Sequence, residues 1–270
     1  HSGTIGVPQQ PSSGGGGSVE IVADSLRLGS EPTPEVFSFT TAPAAYGGAG
    51  GDITLVVGSL VVRGDGVIQA TTWGLGDGGD INVSADRIRI ENGGLIESKS
   101  DRLLTTRLGD AGSVTLVAKE EIELVGSSEL RDSGVSSASE GSGNAGDVTL
   151  RAPRIILRDG GSVATNALAA DGGNIILHAQ KLVHLDAGLI TSSVNGRTGE
   201  ITTGGNITID PVFVILENGS RIEATAVTGR GGDIRITADN FFAFPGSVVS
   251  AKSGNQELSG TVEIHSPDVD

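Results

Sequence analysis

Residues 78–98 read GGDINVSADRIRIENGGLIES, and this phrase recurs along the whole chain. Small residues come first, then a polar residue, and then aliphatic side chains at every second position. Strict alternation of this kind is typical of a β-strand with one buried face. The Asn-Gly pair after it favours a turn with positive φ, and another aliphatic run follows. The phrase therefore predicts short strands separated by tight turns.

The phrase occurs nine times, at intervals of 27 to 34 residues. The second small residue of each copy is always glycine, and we use it as the anchor of the repeat. The anchors are Gly17, Gly51, Gly79, Gly112, Gly146, Gly173, Gly205, Gly232 and Gly260. Two and four residues after every anchor the residue is Ile, Leu or Val. A unit this small cannot bury its apolar face alone, whereas stacked copies can, with parallel strands about 4.8 Å apart.

The sequence therefore predicts an all-β fold, a parallel β-helix of about eight to nine coils with three strands per coil. We expect it to be right-handed, as parallel β-crossovers are, and to form a rod about 40 Å long. A leucine-rich repeat would show a fixed Asn and a helical segment, and a propeller would show aromatic signatures. Residues 16–270 are interpreted as one domain, preceded by a flexible linker over residues 1–15.

Three segments depart from the repeat. A Pro-containing insertion over residues 31–47 is expected to cover the N-terminal end of the core. In the repeat that starts at Gly112, Glu129 and Arg131 occupy positions that are aliphatic or small elsewhere, so its return path is expected to differ. The polar tails over residues 98–110 and 133–144 are interpreted as loops that project from one edge.

Composition excludes several classes of function. The chain has 270 residues, 43 of them glycine, and contains no cysteine, so disulfides, thiolate metal sites and Cys nucleophiles are ruled out. A net charge of −15 argues against nucleic acid and anionic membranes as partners. No run of 18 apolar residues is present, which predicts no membrane insertion. Methionine is absent even at position 1, so we expect a piece of a larger exported protein.

Catalytic chemistry on a β-helix needs carboxylates, or a carboxylate with Arg or Lys, clustered on one strand face. The stacked carboxylates at outward positions beside the anchors are Asp52 and Asp80, where a short side chain can cap backbone amides. We therefore expect no catalytic residue and no enzyme. The segment Gly76–Asp80 has the composition of a calcium-binding nonapeptide, although the nine-residue period does not continue. Asp52, Asp77 and Asp80 are the calcium candidates; loosely bound Ca²⁺ is the cofactor considered.

Three further features each have two interpretations, and a fourth has one. His178 and His184 are either a zinc pair or solvated surface residues. A partial ladder of outward threonines is either a flat ice-binding array or ordinary strand composition. Trp73 and Tyr46 are candidate contact residues for a sugar or a partner, or cover for a coil edge. The phenylalanines near the C-terminal end are expected to fill the core. The threonines are Thr54, Thr115, Thr149 and Thr208, and the phenylalanines are Phe241, Phe242 and Phe244.

The repeats from about Gly16 to Asp270, with the phrase Ser-Pro-Asp-Val-Asp at 266–270, resemble those of filamentous-haemagglutinin-like exoproteins of two-partner secretion systems. The cyanobacterial members are the most similar in style. The resemblance implies an extracellular or cell-surface protein, exported through an outer-membrane partner, that forms fibres or acts as an adhesin. The family's N-terminal secretion domain is missing, so the chain would be a C-terminal repeat segment and no secretion residue is carried over.

These observations predict a non-enzymatic structural or adhesive rod. The end coils of such a rod carry unpaired strand edges, through which two copies would pair end to end into fibres. The alternative is an adhesin module that binds surface glycans or other cells without polymerising. A polysaccharide-degrading β-helix enzyme is the third class. For the adhesin, the tails over residues 98–110 and 133–144 are the candidate binding segments.

Overall fold

The chain folds into two long parallel β-sheets, as a computed structural model describes it for residues 16–29, 38–41, 48–72, 75–101, 109–196 and 202–267. The strands in chain order are β1 Val19–Leu28, β2 Ser38–Thr41, β3 Ile53–Arg63, β4 Val67–Thr72, β5 Ile81–Glu91, β6 Leu95–Ser100, β7 Val114–Val125, β8 Gly134–Ser139, β9 Val148–Arg158, β10 Ser162–Ala167, β11 Ile175–Asp186, β12 Leu189–Val194, β13 Ile207–Ile209, β14 Phe213–Glu217, β15 Arg221–Ala226, β16 Ile234–Thr237, β17 Asn240–Ala243, β18 Val248–Ser250 and β19 Val262–His265. A short 3₁₀ turn spans Gln256–Leu258.

Each turn of the chain adds one level to both sheets. The first sheet has the order β1-β3-β5-β7-β9-β11-β13-β16-β19, with β14 and β17 beside it, and the second has the order β18-β15-β12-β10-β8-β6-β4-β2. The strand pairs are parallel and keep the repeat in register, so that Val148 lies against Ile175 and Ile175 against Ile207. This is the predicted parallel β-helix, with eight complete coils and part of a ninth.

The three predicted strand segments of a coil are present, but the first two are joined in most coils. In the first six levels they form one strand of 10 to 12 residues, β1, β3, β5, β7, β9 and β11. The register shifts halfway along several of these pairs, for example between Ala85 and Arg87. In the coil that starts at Gly205 the two segments separate as β13 and β14. Pro211 lies in that gap, and proline has no N–H to continue a ladder.

The core is a stack of aliphatic columns. Between the two end coils, the residues two and four positions after each anchor are at most 3% exposed, for example Ile81, Val83, Val148 and Leu150. The intervening side chains of these strands point outward. Because equivalent residues lie directly above one another, each interior coil covers its neighbours on both faces.

The predicted turns are confirmed by their backbone angles. The glycines fourteen residues after the anchor have φ between 73° and 92°, at Gly93, Gly126, Gly160, Gly219 and Gly246. Ala187 occupies the same place in its coil and has φ 53°. The left-handed conformation is therefore set by the coil, and glycine is the residue that adopts it most easily.

The prediction that residues 133–144 form a loop is wrong for Gly134–Ser139, which is strand β8 of the second sheet. Val135 pairs with Ile96 and Ser137 with Ser98, so the return strand arrives six residues later than in the other coils. The extra residues lie in the corner before it, where Ser127 and Asp132 form an antiparallel bridge. The expectation of a different return path for this coil is thereby confirmed.

The predicted insertion over residues 31–47 also contains sheet structure. Its residues 38–41 are β2, which pairs with β4 and puts Phe39 opposite Ile68. This part of the segment is therefore the return strand of the first coil and not an addition to it. The remaining residues of the segment, 31–37 and 42–47, lie outside the described ranges.

Candidate functional site

A ladder of side-chain caps runs along the corner next to the anchors. In most coils the residue after the anchor accepts a hydrogen bond from the backbone N–H of its equivalent in the next coil. Asp52 Oδ1 accepts from Asp80 N at 2.9 Å, and Asp80 Oδ1 accepts from Ser113 N at 2.7 Å. Further along, the acceptors are Asp147, Asn174, Asn206 and Asp233, at 2.7 to 3.0 Å. The calcium candidates Asp52 and Asp80 therefore hold backbone amides.

The last link of this ladder consists of two charge-assisted hydrogen bonds to one carboxylate. Asp233 Oδ1 accepts from the backbone N–H of Thr261 at 2.7 Å and from its hydroxyl at 2.9 Å. These two hydrogen bonds stabilise the ionised carboxylate and lower the pKa of Asp233. The ionised Asp233 carboxylate thus forms stronger hydrogen bonds to Thr261, the residue before β19.

A second ladder lies two residues before the anchors, and sequence reasoning missed it. Asp77 Oδ1 accepts from Asp110 N at 2.9 Å, so the third calcium candidate also caps an amide. Asp110 caps Asn144, Asn144 caps Asp171, and Asp171 caps Thr203, at 2.7 to 3.1 Å. The signal was available, because aligning the repeats on their anchors shows Asp or Asn two positions earlier in four consecutive copies.

The anchors are glycines because the coils touch there. A Cβ on Gly146 would lie 2.3 Å from the carbonyl oxygen of Gly112, and one on Gly205 would lie 1.8 Å from that of Gly173. The same contact exists at every anchor except Gly17, which has nothing within 4 Å. The anchors Gly79, Gly112 and Gly173 are also tied to the second sheet. Their carbonyl oxygens accept hydrogen bonds of 2.7 to 3.1 Å from Ser98, Ser137, Thr165 and Ser192.

A network of ion pairs covers the outer face of the first sheet over three successive coils. Glu123 contacts Arg89 in the preceding coil and Arg158 in the following one, the latter at 2.5 Å. Only 12% of the Glu123 side chain is exposed. A hydrogen bond to Glu91 raises the pKa of the Arg89 guanidinium, and the charge of Glu123 acts in the same direction against the effect of burial. These ion pairs therefore link the three adjacent strands β5, β7 and β9.

The two histidines of the proposed zinc pair have separate partners. His178 Nδ1 lies 2.6 Å from Asp210 Oδ2, and His184 Nε2 lies 2.7 Å from Glu217 Oε1. Arg151 pairs in register with His178, so Arg151, His178 and Asp210 follow one another on successive coils beside a hollow of about 360 Å³. Among the described residues, no three His, Asp or Glu side chains are arranged to hold a metal ion. This column was not found by sequence reasoning.

The threonine column is in register as predicted. Thr115 pairs with Thr149, and Asn82, Ile176 and Arg235 interrupt the column where the sequence places them. The row is thus a continuous outward column of mixed side chains. Both interpretations of the threonines, an ice-binding array and ordinary strand composition, are compatible with this geometry.

A polar cluster lies on the outer face of the second sheet. Glu97 accepts hydrogen bonds from Gln69 at 3.0 Å and from Ser136 at 3.1 Å. Burial raises the pKa of Glu97, and the lowering effects of Lys99 and of these hydrogen bonds do not cancel it. Burial by itself would lower the pKa of Lys99. The contacts of Lys99 with Glu140 at 2.6 Å and with Asp101 at 3.2 Å outweigh burial and raise that pKa. The cluster joins the two segments predicted as tails.

The last coil exposes apolar side chains that interior coils bury. Val262 is 42% exposed and Ile264 is 36% exposed, whereas the equivalent residues Ile234 and Ile236 are fully buried. At the other end of the described stack, Val19 and Ile21 are partly buried. The prediction that all three phenylalanines fill the core is wrong: Phe241 packs on it, but Phe242 and Phe244 are 48% and 50% exposed. Those two lie on the outer side of the same coil.

Several predicted features fall on residues outside the described ranges. They are the contact candidates Trp73 and Tyr46, the linker over residues 1–15, residues 102–108 of the first tail, and residues 268–270 of the C-terminal phrase. They remain predictions.

Comparisons with protein-family models, with curated proteins and with solved structures found no match for this chain. Within the described part of the chain, no helix is long and apolar enough to cross a bilayer.

Proposed function

We propose that this chain is a non-enzymatic structural rod of an extracellular, surface-attached protein, secreted as part of a filamentous-haemagglutinin-like exoprotein. The observation that supports this best is the unbroken parallel ladder from β1 to β19, reinforced at its corner by two ladders of Asp and Asn caps. Each coil is bound to its neighbours by backbone hydrogen bonds and by a continuous aliphatic core. Such an array resists bending and extension without any catalytic site.

The rod would extend by pairing of its end coils. Within the described residues, β1 and β19 pair on one side only, and an open strand edge is a template for another strand. The exposed Val262 and Ile264 of β19 belong to the same columns as Val19 and Ile21 of β1. Stacking one copy on another would continue both the ladder and the core.

Negative-stain electron microscopy over a concentration series tests this assembly. We expect filaments whose axial repeat is about 40 Å at nine levels of 4.8 Å each. The Ile264→Asp variant places a charge in the joint, and we expect it to remain as single rods. The matched control is Thr208→Asp on an outward position of an interior coil, which should still form filaments. Single rods of the unaltered chain at every concentration would refute end-to-end assembly.

Deletion of residues 31–47 asks whether that segment bridges neighbouring copies. Because the segment contains β2, the deletion is compared with replacement of residues 42–47 alone by a Gly/Ser linker. Loss of filaments in both variants would assign the bridging role to the segment, and unchanged filaments in both would exclude it.

Glycan binding is the second candidate function, and one hollow favours it. A depression of about 400 Å³ on the second sheet is lined by Lys99, Glu140, Asn166, Ser193 and Asn195, between the two predicted tails. Amide, hydroxyl and charged groups of this kind are suited to sugar hydroxyls. Binding to a glycan array should be lost in Lys99→Gln and kept in Lys119→Gln, whose side chain lies on the other sheet. Equal binding by both variants would contradict this site.

A further inference from the structure

Three Asn-Gly pairs occupy turns of this chain, and their surroundings differ. They are Asn92–Gly93, Asn195–Gly196 and Asn218–Gly219. In Asn-Gly sequences the backbone nitrogen of glycine can attack the side-chain carbonyl of asparagine, since glycine has no Cβ to obstruct the approach. We propose that Asn218 is a site of spontaneous deamidation, and that the fold protects the other two asparagines.

The turn at Asn218 leaves the attacking nitrogen of Gly219 free. Asn218 and Gly219 are both exposed, and a Cβ placed on Gly219 would meet nothing within 4 Å. Among the described residues, no acceptor forms a hydrogen bond with the Gly219 N–H. The space beside Gly219 is therefore open, and the attacking nitrogen has no partner to give up.

At the second turn Asn92 is exposed as well, but its glycine is enclosed. Gly93 is buried, and its N–H donates to Ser133 Oγ at 3.0 Å. A Cβ on Gly93 would lie 2.4 Å from Ser128 Oγ. At the third pair, a Cβ on Gly196 would lie 2.2 Å from the hydroxyl of Thr228. Ring closure at Asn92 would have to break the hydrogen bond from Gly93 to Ser133, and at Asn195 the backbone is held by the Thr228 hydroxyl, which donates to the Asn195 carbonyl oxygen at 3.0 Å.

The reaction is balanced with water as its reactant. The Gly219 nitrogen forms a bond to Asn218 Cγ, the bond from Cγ to Nδ2 breaks, and ammonia leaves with the proton from the glycine nitrogen. Water then opens the five-membered imide at either carbonyl, which gives aspartate or isoaspartate. Asn218 Nδ2 now donates to Asp186 Oδ1 at 2.6 Å. The product replaces this donor by a carboxylate, so that two like charges face each other across adjacent coils.

Trypsin places the three pairs in separate peptides, residues 90–99, 182–197 and 198–221. The full chain is incubated folded in mildly alkaline buffer, and the gain of about one dalton is followed in each peptide. We expect the peptide 198–221 to deamidate at least tenfold faster than the other two, with the Asn218→Gln variant losing that signal. The same incubation in concentrated urea should bring the three rates together.

The Ser133→Ala variant provides the reciprocal test, because it frees the Gly93 N–H. We expect faster deamidation of the peptide 90–99 and an unchanged rate for 198–221. Equal rates for peptides 90–99 and 198–221 in the folded chain would overturn the proposal. So would a result in which folding slows the deamidation of peptide 198–221, relative to its rate in urea, as strongly as it slows that of the other two peptides.

Discussion

At the corner of each coil, the anchor is glycine because a side chain would not fit there, and not because the backbone conformation demands glycine. The anchors do not have φ in the left-handed region, in contrast to the turn glycines. What excludes a larger residue is the carbonyl oxygen of the preceding anchor, which lies where a Cβ would be. The ladder spacing of about 4.8 Å leaves no room for both.

This contact predicts a difference between two alanine variants. Gly146→Ala puts a methyl group 2.3 Å from the Gly112 carbonyl oxygen, and we expect a loss of about 1–3 kcal/mol in the free energy of unfolding. Gly17→Ala meets nothing, so its stability should stay within about 0.5 kcal/mol of the unaltered chain. Urea denaturation followed by circular dichroism measures both. Equal losses would mean that the anchor contact is not what selects glycine.

At the scale of single strands, the ion-pair network on β5, β7 and β9 predicts that neutralising Glu123 lowers the free energy of unfolding more than neutralising Glu120 does. Glu123→Gln removes the largely buried charge shared by Arg89 and Arg158, of which Arg89 keeps only Glu91, and we expect a loss of about 1.5–3 kcal/mol. Glu120→Gln removes only a solvent-exposed pair with Arg87 and should cost clearly less than Glu123→Gln. Urea denaturation at low and high salt compares them. A Glu123 variant as stable as the Glu120 variant would refute the network's role.

The second sheet predicts an effect of pH through Glu97 on β6. Its pKa in the folded chain is raised above the ordinary value of 4.5, so the folded state keeps the proton where the unfolded state has lost it. Stability due to this group is therefore complete below about pH 4 and falls as the pH rises through the folded pKa. Glu97→Gln keeps acceptor and shape without the charge. We expect this variant to melt at a higher temperature than the unaltered chain near neutral pH.

The difference in melting temperature between Glu97→Gln and the unaltered chain should shrink to nothing at about pH 4. Glu140→Gln is the control, because Glu140 is half exposed and belongs to the same cluster. The opposite outcome is that Glu97→Gln melts below the unaltered chain near neutral pH and that this deficit disappears at acid pH. It would show that the fold favours the ionised carboxylate of Glu97.

For the whole molecule, end-to-end stacking predicts that stability depends on protein concentration. Association of folded copies buries Val262 and Ile264, and anything that binds only the folded state raises the unfolding midpoint. We expect the melting temperature to rise with concentration for the unaltered chain and to stay constant for Ile264→Asp. Differential scanning calorimetry over a hundredfold concentration range measures this. A constant midpoint in both would place the end coils outside any interface.

The nine-fold repeat in the sequence was sufficient to predict the fold. Ladder spacing and alternation leave one arrangement in which Val148, Ile175 and Ile207 can all be buried, and the strands stack in that order. The positive φ of Gly93 and its equivalents followed from the same repeat, because Asn-Gly and Asp-Gly suit such turns. The stacking order and the turn conformations depend only on neighbouring residues within one repeat or on the equivalent position in the next repeat, and both can be identified in the sequence.

Other features were decided only by the tertiary structure. The sequence predicted amide caps at Asp52 and Asp80 but not which amides they hold, because these hydrogen bonds, like that of Asp77, join residues 28 to 33 positions apart. Nor could it place β8, since six extra residues can enter a coil at a corner or in a tail. Periodicity determines which residues stack, whereas the contacts between stacked side chains, and the space left around Asn218 but not Asn92, arise only when the coils meet.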